Sequence, residues 1–147
     1  MTTTIDRNGL QVLDSDECLR LLATVSIGRI AISSGALPVI LPINYRVDGD
    51  RILFRTGSGT KLDAATRNAV VAFEVDHIDP MYHSGWSVVV TGIAADVEGA
   101  ADEAIWSTPR WAGGDVDRLV AISINQISGR RLDGDYLRAA ADLHDSA

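Results

Sequence analysis

The stretch "FRTGSGTKLD" places two cations and three hydroxyls around a glycine-rich loop. Arg55 ends a β-rich run, Thr56, Ser58 and Thr60 alternate with two glycines, and Lys61 begins a short helical pattern. Lys61 is the only lysine in the chain, because the other 12 of the 13 basic residues are arginines. Glycines let the backbone turn tightly and present N–H groups, and cations with hydroxyls are the groups that bind phosphate. The stretch therefore predicts a phosphate-binding loop.

The start of a helix is an unfavourable place for a lysine. A helix N-terminus carries partial positive charge, so a cation there is favoured only if an anion is bound. Thr60 is positioned to cap this helix, with Asp63 three residues further on. The alternative is a flexible Gly/Ser loop whose cations pair with nearby acids such as Asp63. The spacing matches neither a P-loop nor a G-x-G-x-x-G motif, so both interpretations stay open on these residues alone.

Length and composition limit the classes of protein that fit. A chain of 147 residues with 46% hydrophobic and 22% charged residues is typical of one globular domain with a real core. The net charge of -7 argues against general binding to nucleic acid, which needs a clustered basic surface. One cysteine, Cys18, leaves no internal disulfide, and no apolar run approaches the ~20 residues of a membrane helix. We expect one domain over residues 1–147, located in the cytoplasm, with no membrane or nucleic-acid partner.

Six segments have strand patterns that position the loop. They are "GRIAIS", "PVILPINYRV", "RILFRT", "VVAFEVD", "GWSVVVTGIAADV" and "RLVAISI". Asp48-Gly49 predicts a tight hairpin, and a loop with His77, Pro80 and His83 follows the fourth segment. This order predicts an antiparallel barrel or sandwich.

Helical patterns are few and short. "LDSDECLRLLATV" predicts a first helix capped by Asp14, with Glu17 at the capping-box position. Residues 100–112 predict a short helix with a Trp-bearing loop, and residues 133–147 predict a helical tail. We expect residues 1–12 to be loosely ordered.

Two of the predicted strands also indicate which of their faces or edges are covered. In "WSVVVTGIA", Trp86 and Val88 share one face while Ser87 and Val89 share the other, and both faces are largely apolar or small. A small barrel covers only its inside, which leaves the outside of this strand for a helix or a second subunit. Pro42 cannot donate a ladder hydrogen bond, so it marks an edge, a bulge or the end of pairing near Ile43 and Asn44.

Taken in order, these segments resemble the pyridoxamine 5′-phosphate oxidase-like family. The resemblance runs from the capped helix at Asp14 through "GRIAIS", "LPINYRVDGDRILFRTGSGTKLDAATRN" and "VAFEVD" to "GWSVVVTGIA", and ends near Val97. The later "ISGRRL" is compatible with a last barrel strand. The resemblance implies a mainly β fold, a six-stranded antiparallel Greek-key split barrel with two to three short helices. It also implies a homodimer with the cofactor at the interface.

The resemblance assigns roles to three sets of residues. Within this family one strand-to-loop segment binds the cofactor phosphate, and the positions that match it are Arg55, Thr56, Ser58 and Lys61, to which we add the capping Thr60. A second segment lies along the flavin ring, and its matches are Pro42, Ile43 and Asn44. A long strand approaches the cofactor from the partner subunit, and its matches are Trp86 and Ser87.

The implied function is that of an oxidoreductase using FMN or the deazaflavin coenzyme. The cofactor would transfer hydride to a small organic substrate, and the protein would supply orientation and electrostatics, so no catalytic residue is named. A vitamin B6 oxidase is not expected, because the C-terminal arginine and histidine segment of those enzymes has no match here. The alternatives are a non-catalytic cofactor-binding or storage protein and a haem-binding member on the same scaffold.

Other candidate residues fit more ordinary roles. His77, Asp79 and His83 lack the regular spacing of a metal site and better suit a loop bordering the cofactor pocket; a haem ligand, for which His77 or His83 would be the candidate, is no more favoured than a metal. Cys18 is expected to pack in the first helix, and no metal site is predicted. Four further residues have two open interpretations, packing or solvation against contact with the cofactor: Trp106, Trp111, Arg130 and Arg131.

Overall fold

A computed structural model describes residues 3–57, 59–97 and 117–134 of the chain. This part is mainly β, with ten strands and two short helices. The elements are β1 Thr4–Ile5, β2 Gln11–Leu13, α1 Ser15–Leu22, β3 Ile27–Ser34, β4 Leu37–Asn44, β5 Arg46–Asp48, β6 Arg51–Gly57, α2 Lys61–Ala65, β7 Ala69–Asp79, β8 Ser84–Asp96, β9 Asp117–Ser123 and β10 Gln126–Leu132.

All described strand pairs are antiparallel and belong to one branched sheet. One path runs β1-β2-β10-β8-β7-β3-β4, and the other leaves β8 through β9 and β6 to β5. The branch lies in β8, which pairs with β10 over residues 85–91 and with β9 over residues 94–96. The sheet curls without closing in the described part of the chain, as a split barrel does.

The split lies between β4 and β6. The β5–β6 ladder ends where Arg46 pairs with Leu53. Continuing its register by two residues would bring Asn44 level with Arg55. Instead, β4 pairs with β3 and β6 pairs with β9, and β4 and β6 face each other with their free edges while staying in contact. Within the described residues, two strand edges without a pairing strand therefore border this opening.

Alternate side chains of the curled sheet fill its inside. Ile30, Phe54, Phe73 and Val90 are all fully buried in one core. Tyr45 packs edge-on against Phe73 with ring centroids 4.8 Å apart, and its hydroxyl donates to the Leu22 carbonyl of α1. Helix α1 closes one end of this core and is capped by Asp14, whose carboxylate accepts from the Glu17 N–H at 2.8 Å.

The predicted mainly β, antiparallel split-barrel fold is confirmed. All six predicted strand segments form strands, and the hairpin at Asp48-Gly49 forms with Gly49 at φ 60°. The second segment divides into β4 and β5, "ISGRRL" lies in β10 as the resemblance allowed, and the structure adds the short β1 and β2, which makes ten strands in the described residues instead of six. The predicted helix over residues 100–112 lies outside the described residues, as does the tail beyond Gly134.

One predicted boundary is wrong. The loop expected to begin at His77 starts later, because β7 continues to Asp79 and pairs there with Ser84. The turn is short because the Asp79 carboxylate accepts from the N–H groups of Met81 and Tyr82 at 3.0 and 3.3 Å. Side-chain bonds of this kind let an aspartate close a turn, and the alternation of apolar residues gave no sign of it.

Candidate functional site

The predicted phosphate loop is an ordered turn between β6 and α2. Thr60 is the N-cap of α2, and its hydroxyl accepts from the Asp63 N–H at 3.0 Å and donates to the Gly57 carbonyl at 3.1 Å. The Thr56 hydroxyl lies 3.5 Å from that of Thr60. The cap therefore fixes the start of the helix and folds the loop back on the end of β6. Ser58 lies outside the described residues.

The Asp63 carboxylate makes the side-chain contacts that hold this loop in place. Its carboxylate accepts from the Gly59 N–H at 3.0 Å and forms ion pairs with Arg67 and Arg118, each at 3.1 Å. The Gly59 hydrogen bond, followed by the two arginines, lowers the pKa of Asp63 below its ordinary value. The alternative interpretation had the loop's own cations paired with Asp63, whereas the described partners of Asp63 are Arg67 and Arg118.

Arg118 on β9 was missed by sequence reasoning. It stands directly across the ladder from Thr56, and its Nη2 donates to the carbonyl and hydroxyl of Thr66 at 3.0 and 2.6 Å. Its Nε lies 3.1 Å from Asp63 and its Nη1 lies 3.0 Å from Asp96. Only the register of β6 against β9 could have identified it, and the sequence gives no such register.

Arg55 and Lys61 are the two basic side chains of the predicted loop. Arg55 is half-buried at the end of β6, where it already has an interaction partner, and Lys61 is exposed in the first turn of α2. Arg67 and Arg118 pair with Asp63, and Arg118 also lies beside Asp96. Cations next to a turn that presents backbone N–H groups are suited to binding an anion.

The residues predicted to meet a flavin ring lie on the other side of the split. Pro42, Ile43 and Asn44 end β4, which is an edge strand, so the edge interpretation of Pro42 is confirmed. Ile43 is 4% exposed and belongs to the core, so it is Asn44 rather than Ile43 that is placed to face a ligand at this edge. Asn44 is half-buried beside the point where the β5–β6 ladder ends. The structure thus gathers these residues and the loop around one opening.

A cavity of about 310 Å³ adjoins this opening. Its walls are residues 44–47 and the segment from Leu22 to Ser26 after α1. Tyr45 is held there by its bond to Leu22, and burial raises the pKa of its hydroxyl. The volume is at the lower end of the range typical of small-molecule sites.

Trp86 and Ser87 lie away from the loop within one chain. Ser87 and Asn44 belong to strands separated by three steps of the sheet, β8-β7-β3-β4, a span of roughly 14 Å. Successive side chains of a strand point to opposite faces, so Trp86 points with Val88 towards the inside and Ser87 points outward. Trp86 stands between His77 and Arg131 in adjacent strands, and the three line a separate cavity of about 290 Å³.

The remaining candidates have local partners. Cys18 is fully buried, and its thiol, whose pKa is raised by burial, faces the Leu13 carbonyl at 3.9 Å. Arg130 pairs with Asp6, and Arg131 pairs with Glu17. In residues 3–57, 59–97 and 117–134 no three His, Cys, Asp or Glu side chains are placed to share a metal ion. Trp106 and Trp111 lie outside these ranges.

The outer face of β3, β4, β7 and β8 exposes apolar side chains. Val70 and Ile93 form a cross-strand pair and are 68% and 44% exposed, with Ile40 and Val89 on the same face. Within this face Glu74 lies beside Asp76 and 3.9 Å from Arg29. Burial raises the pKa of Glu74 to about 7, and Asp76 adds to the rise while Arg29 opposes it.

No helix in the described residues is long and apolar enough to cross a membrane.

The profile of the pyridoxamine 5′-phosphate oxidase family matches residues 14–131.

Proteins similar to this chain occur in Mycobacterium and Corynebacterium species. An uncharacterized protein of Mycobacterium tuberculosis is 38% identical over 130 residues, which cover 84% of this chain and 86% of that protein. The structure of an FAD binding protein from Mycobacterium smegmatis superposes with a TM-score of 0.68 at 36% identity, covering 84% of this chain and 98% of the other. A candidate pyridoxamine 5′-phosphate oxidase from Corynebacterium glutamicum gives a TM-score of 0.70 at 31% identity, with the same coverage of 84% and 98%.

Proposed function

This chain belongs to the pyridoxamine 5′-phosphate oxidase family, and we propose that it binds a flavin nucleotide across the split between β4 and β6. The observation that carries the proposal is the geometry of this opening. A loop with Arg55 and Lys61 borders one side, and the edge of β4 at Asn44, which has no pairing strand among the described residues, borders the other. The similarity to an FAD binding protein at 36% identity supports a flavin.

The loop fits the phosphate of a ribityl-phosphate cofactor. Arg55 and Lys61 supply charge, and charge-assisted hydrogen bonds are the strong ones in anion recognition. The Thr60 hydroxyl donates to the Gly57 carbonyl, and Thr56 is 3% exposed, so these two side chains shape the loop from within. FMN, FAD and the deazaflavin coenzyme all carry a phosphate at this point, so the loop recognises the group they share.

The edge of β4 fits the flavin ring. Pro42 leaves this part of the edge without an N–H donor, and the half-buried side chain of Asn44 offers polar groups beside it. A flat ring lying along this edge would have its polar rim satisfied there. When bound, the ring supplies hydride-transfer chemistry, and the protein holds it in place and limits its access to water.

The site is completed by a second copy of the chain. Ser87 and the exposed apolar side chains of β4, β7 and β8 lie on one outer face, away from the loop of their own chain. Pairing of two such faces would cover the apolar residues and would bring the partner's β8 towards the split. We therefore propose a homodimer with two equivalent cofactor sites.

Catalysis is favoured over storage by the cavity next to Asn44. A storage protein needs a covered ring face, whereas an enzyme needs room for a substrate beside it. The 310 Å³ cavity provides space for a small organic molecule next to the proposed ring position. We propose an oxidoreductase that transfers hydride between the flavin and such a substrate.

The proposal is tested by equilibrium titration of the purified protein, followed by flavin fluorescence. Combining Arg55→Ala with Lys61→Ala should weaken FMN binding by roughly a hundredfold or more, since each charged contact contributes about 1.5–3 kcal/mol. The matched control combines Arg20→Ala with Arg51→Ala, two exposed arginines that pair with Glu17 and Asp48, and should bind like wild type. Unchanged affinity in the loop variant, with its fold intact, would refute the site.

The same titration separates the cofactors. FAD in place of FMN tests whether the site accepts the adenylate extension, and the deazaflavin coenzyme tests the other ribityl phosphate. If none of the three binds, the flavin proposal fails, and the haem-binding alternative is then examined by haem titration of the same preparation.

A further inference from the structure

We propose that Arg118 is the positioning residue of the phosphate loop, which it holds through the Asp63 carboxylate. This inference rests on the proposed function, since it concerns how the loop is kept ready for the phosphate. Arg118 does not reach the ligand itself, because its side chain is 12% exposed and its guanidinium is surrounded by protein groups.

The contacts of Arg118 span every element around the loop. Towards the start of α2 its Nε lies 3.1 Å from the Asp63 carboxylate. Towards the end of α2 its Nη2 donates to Thr66, the C-cap residue. On the side of β8 its Nη1 lies 3.0 Å from Asp96. One side chain on β9 thus ties both ends of a helix to two strands of the sheet.

Helix α2 needs such support because it has only five residues. Isolated helices shorter than about 12–15 residues are marginal in water, so this one depends on tertiary contacts. Its first turn and the preceding loop are joined by Asp63, which accepts from the Gly59 N–H at 3.0 Å. A shift of the Asp63 carboxylate would therefore move Gly59 and, with it, the loop that carries the hydroxyls.

Arg67 provides a comparison within the same ion cluster. Its Nη2 donates to both Asp63 carboxylate oxygens at 3.1 and 3.3 Å, while its side chain is 53% exposed, against 12% for Arg118. Ion pairs of exposed side chains are screened by water and contribute little. Arg118 is also held by Thr66 at the other end of α2, so its loss should displace Asp63 more than the loss of Arg67 does.

The test compares FMN with riboflavin, which lacks the phosphate. The ratio of the two affinities measures how much the loop contributes, independently of contacts to the ring. We expect Arg118→Gln to reduce this ratio at least tenfold by weakening FMN binding alone. The control Arg67→Gln removes the same charge from the same carboxylate, and its ratio should stay within twofold of wild type.

A merely structural role for Arg118 would not change the ratio. General loosening of the fold would weaken both ligands by the same factor, and that result would overturn the inference. Should Arg118→Gln fail to fold, Asp63→Asn weakens the contact between Asp63 and Arg118 by changing the carboxylate instead of the arginine. Asp63→Asn should lower the ratio as well, and an unchanged ratio in a folded protein would overturn the inference too.

Failure of the inference is distinguishable from failure of the proposed function. A wild-type protein that binds FMN and riboflavin equally has no phosphate site, and the proposed function fails at that step. A wild-type protein that prefers FMN, together with an Arg118→Gln variant that keeps the full preference, leaves the phosphate site standing and removes only the role of Arg118.

Discussion

Thr60 shows how one side chain serves both helix and loop. Its hydroxyl caps α2 through the Asp63 N–H and closes the loop through the Gly57 carbonyl. Thr60→Ala should lower the free energy of unfolding by about 1 kcal/mol, the usual cost of losing an N-cap. It should also weaken FMN binding more than riboflavin binding, because the loop loses its closing bond. Chemical denaturation and flavin titration measure the two effects.

Thr60→Ser is the matched control for this substitution. Serine keeps the hydroxyl and caps helices at least as well as threonine, so stability and FMN affinity should both stay near wild type. Equal losses in the serine and alanine variants would show that the threonine methyl group, rather than the two hydrogen bonds, matters here.

Residues of the site differ in how visible they were in the sequence. Thr60 and Lys61 were predictable because capping and helix starts are local features, and both lie where expected. Arg118 was not, because its role depends on facing Thr56 across a ladder whose two strands are more than fifty positions apart in the chain. Long-range register is set by packing of the whole sheet, and a single sequence does not display it.

Strand β8 changes partners at a glycine. It pairs with β10 up to Thr91 and with β9 from Ala94, and Gly92 lies between the two ladders. A Cβ atom on Gly92 would lie 1.6 Å from the Ser123 carbonyl oxygen, so a side chain cannot be accommodated without moving backbone. Gly92→Ala should therefore destabilise the protein by at least about 2 kcal/mol.

Thermal unfolding of Gly92→Ala beside Thr91→Ala checks this expectation. Thr91 is the neighbouring, half-buried outward position, where loss of a small side chain should have a much smaller effect. Similar melting temperatures for the two variants would show that the switch between ladders tolerates a side chain.

The outer face of the sheet should make stability depend on pH through Glu74. Its pKa is raised from 4.5 to about 7, mainly by burial, so the folded state binds more protons than the unfolded state between these values. Stability contributed by this group is therefore lost as the pH rises through that interval. Glu74→Gln removes the titration, so its melting temperature relative to wild type should increase from about pH 5 to about pH 8.

A difference that stays constant with pH would contradict this assignment. Asp50→Asn, a change at the exposed turn between β5 and β6, controls for the loss of one negative charge and should give a constant difference.

For the molecule as a whole, the exposed apolar face should form the dimer interface. Ile93→Glu places a charge in the centre of that face beside Val70, and burial of an unpaired charge is costly. We expect this variant to be a folded monomer with weakened flavin binding, as measured by size-exclusion chromatography with light scattering and by titration. Leu37→Glu is the control, since Leu37 is 69% exposed but lies at the tip of the β3–β4 hairpin.

A wild-type monomer at micromolar concentration would contradict the interface argument. Dimeric Ile93→Glu with normal flavin binding would show that the cofactor site is not formed between these faces.

For the whole molecule, the sequence predicted the strand architecture better than the opening between β4 and β6 that forms the proposed site. Period-2 patterns identified the six main strands and the two apolar faces of β8, because these features repeat within short segments. The break in the run from Pro38 to Val47, which forms the split, depends on β4 and β6 having other partners. Pro42 signalled an edge there, but an edge alone does not reveal what lies opposite it.

The most direct measurement is the affinity of the wild-type protein for FMN and for riboflavin under identical conditions. Two cations that bind one phosphate predict that FMN binds about a hundredfold more tightly than riboflavin, or better. Equal affinities, or no binding of either ligand, would contradict the claim that the loop between β6 and α2 is a phosphate site.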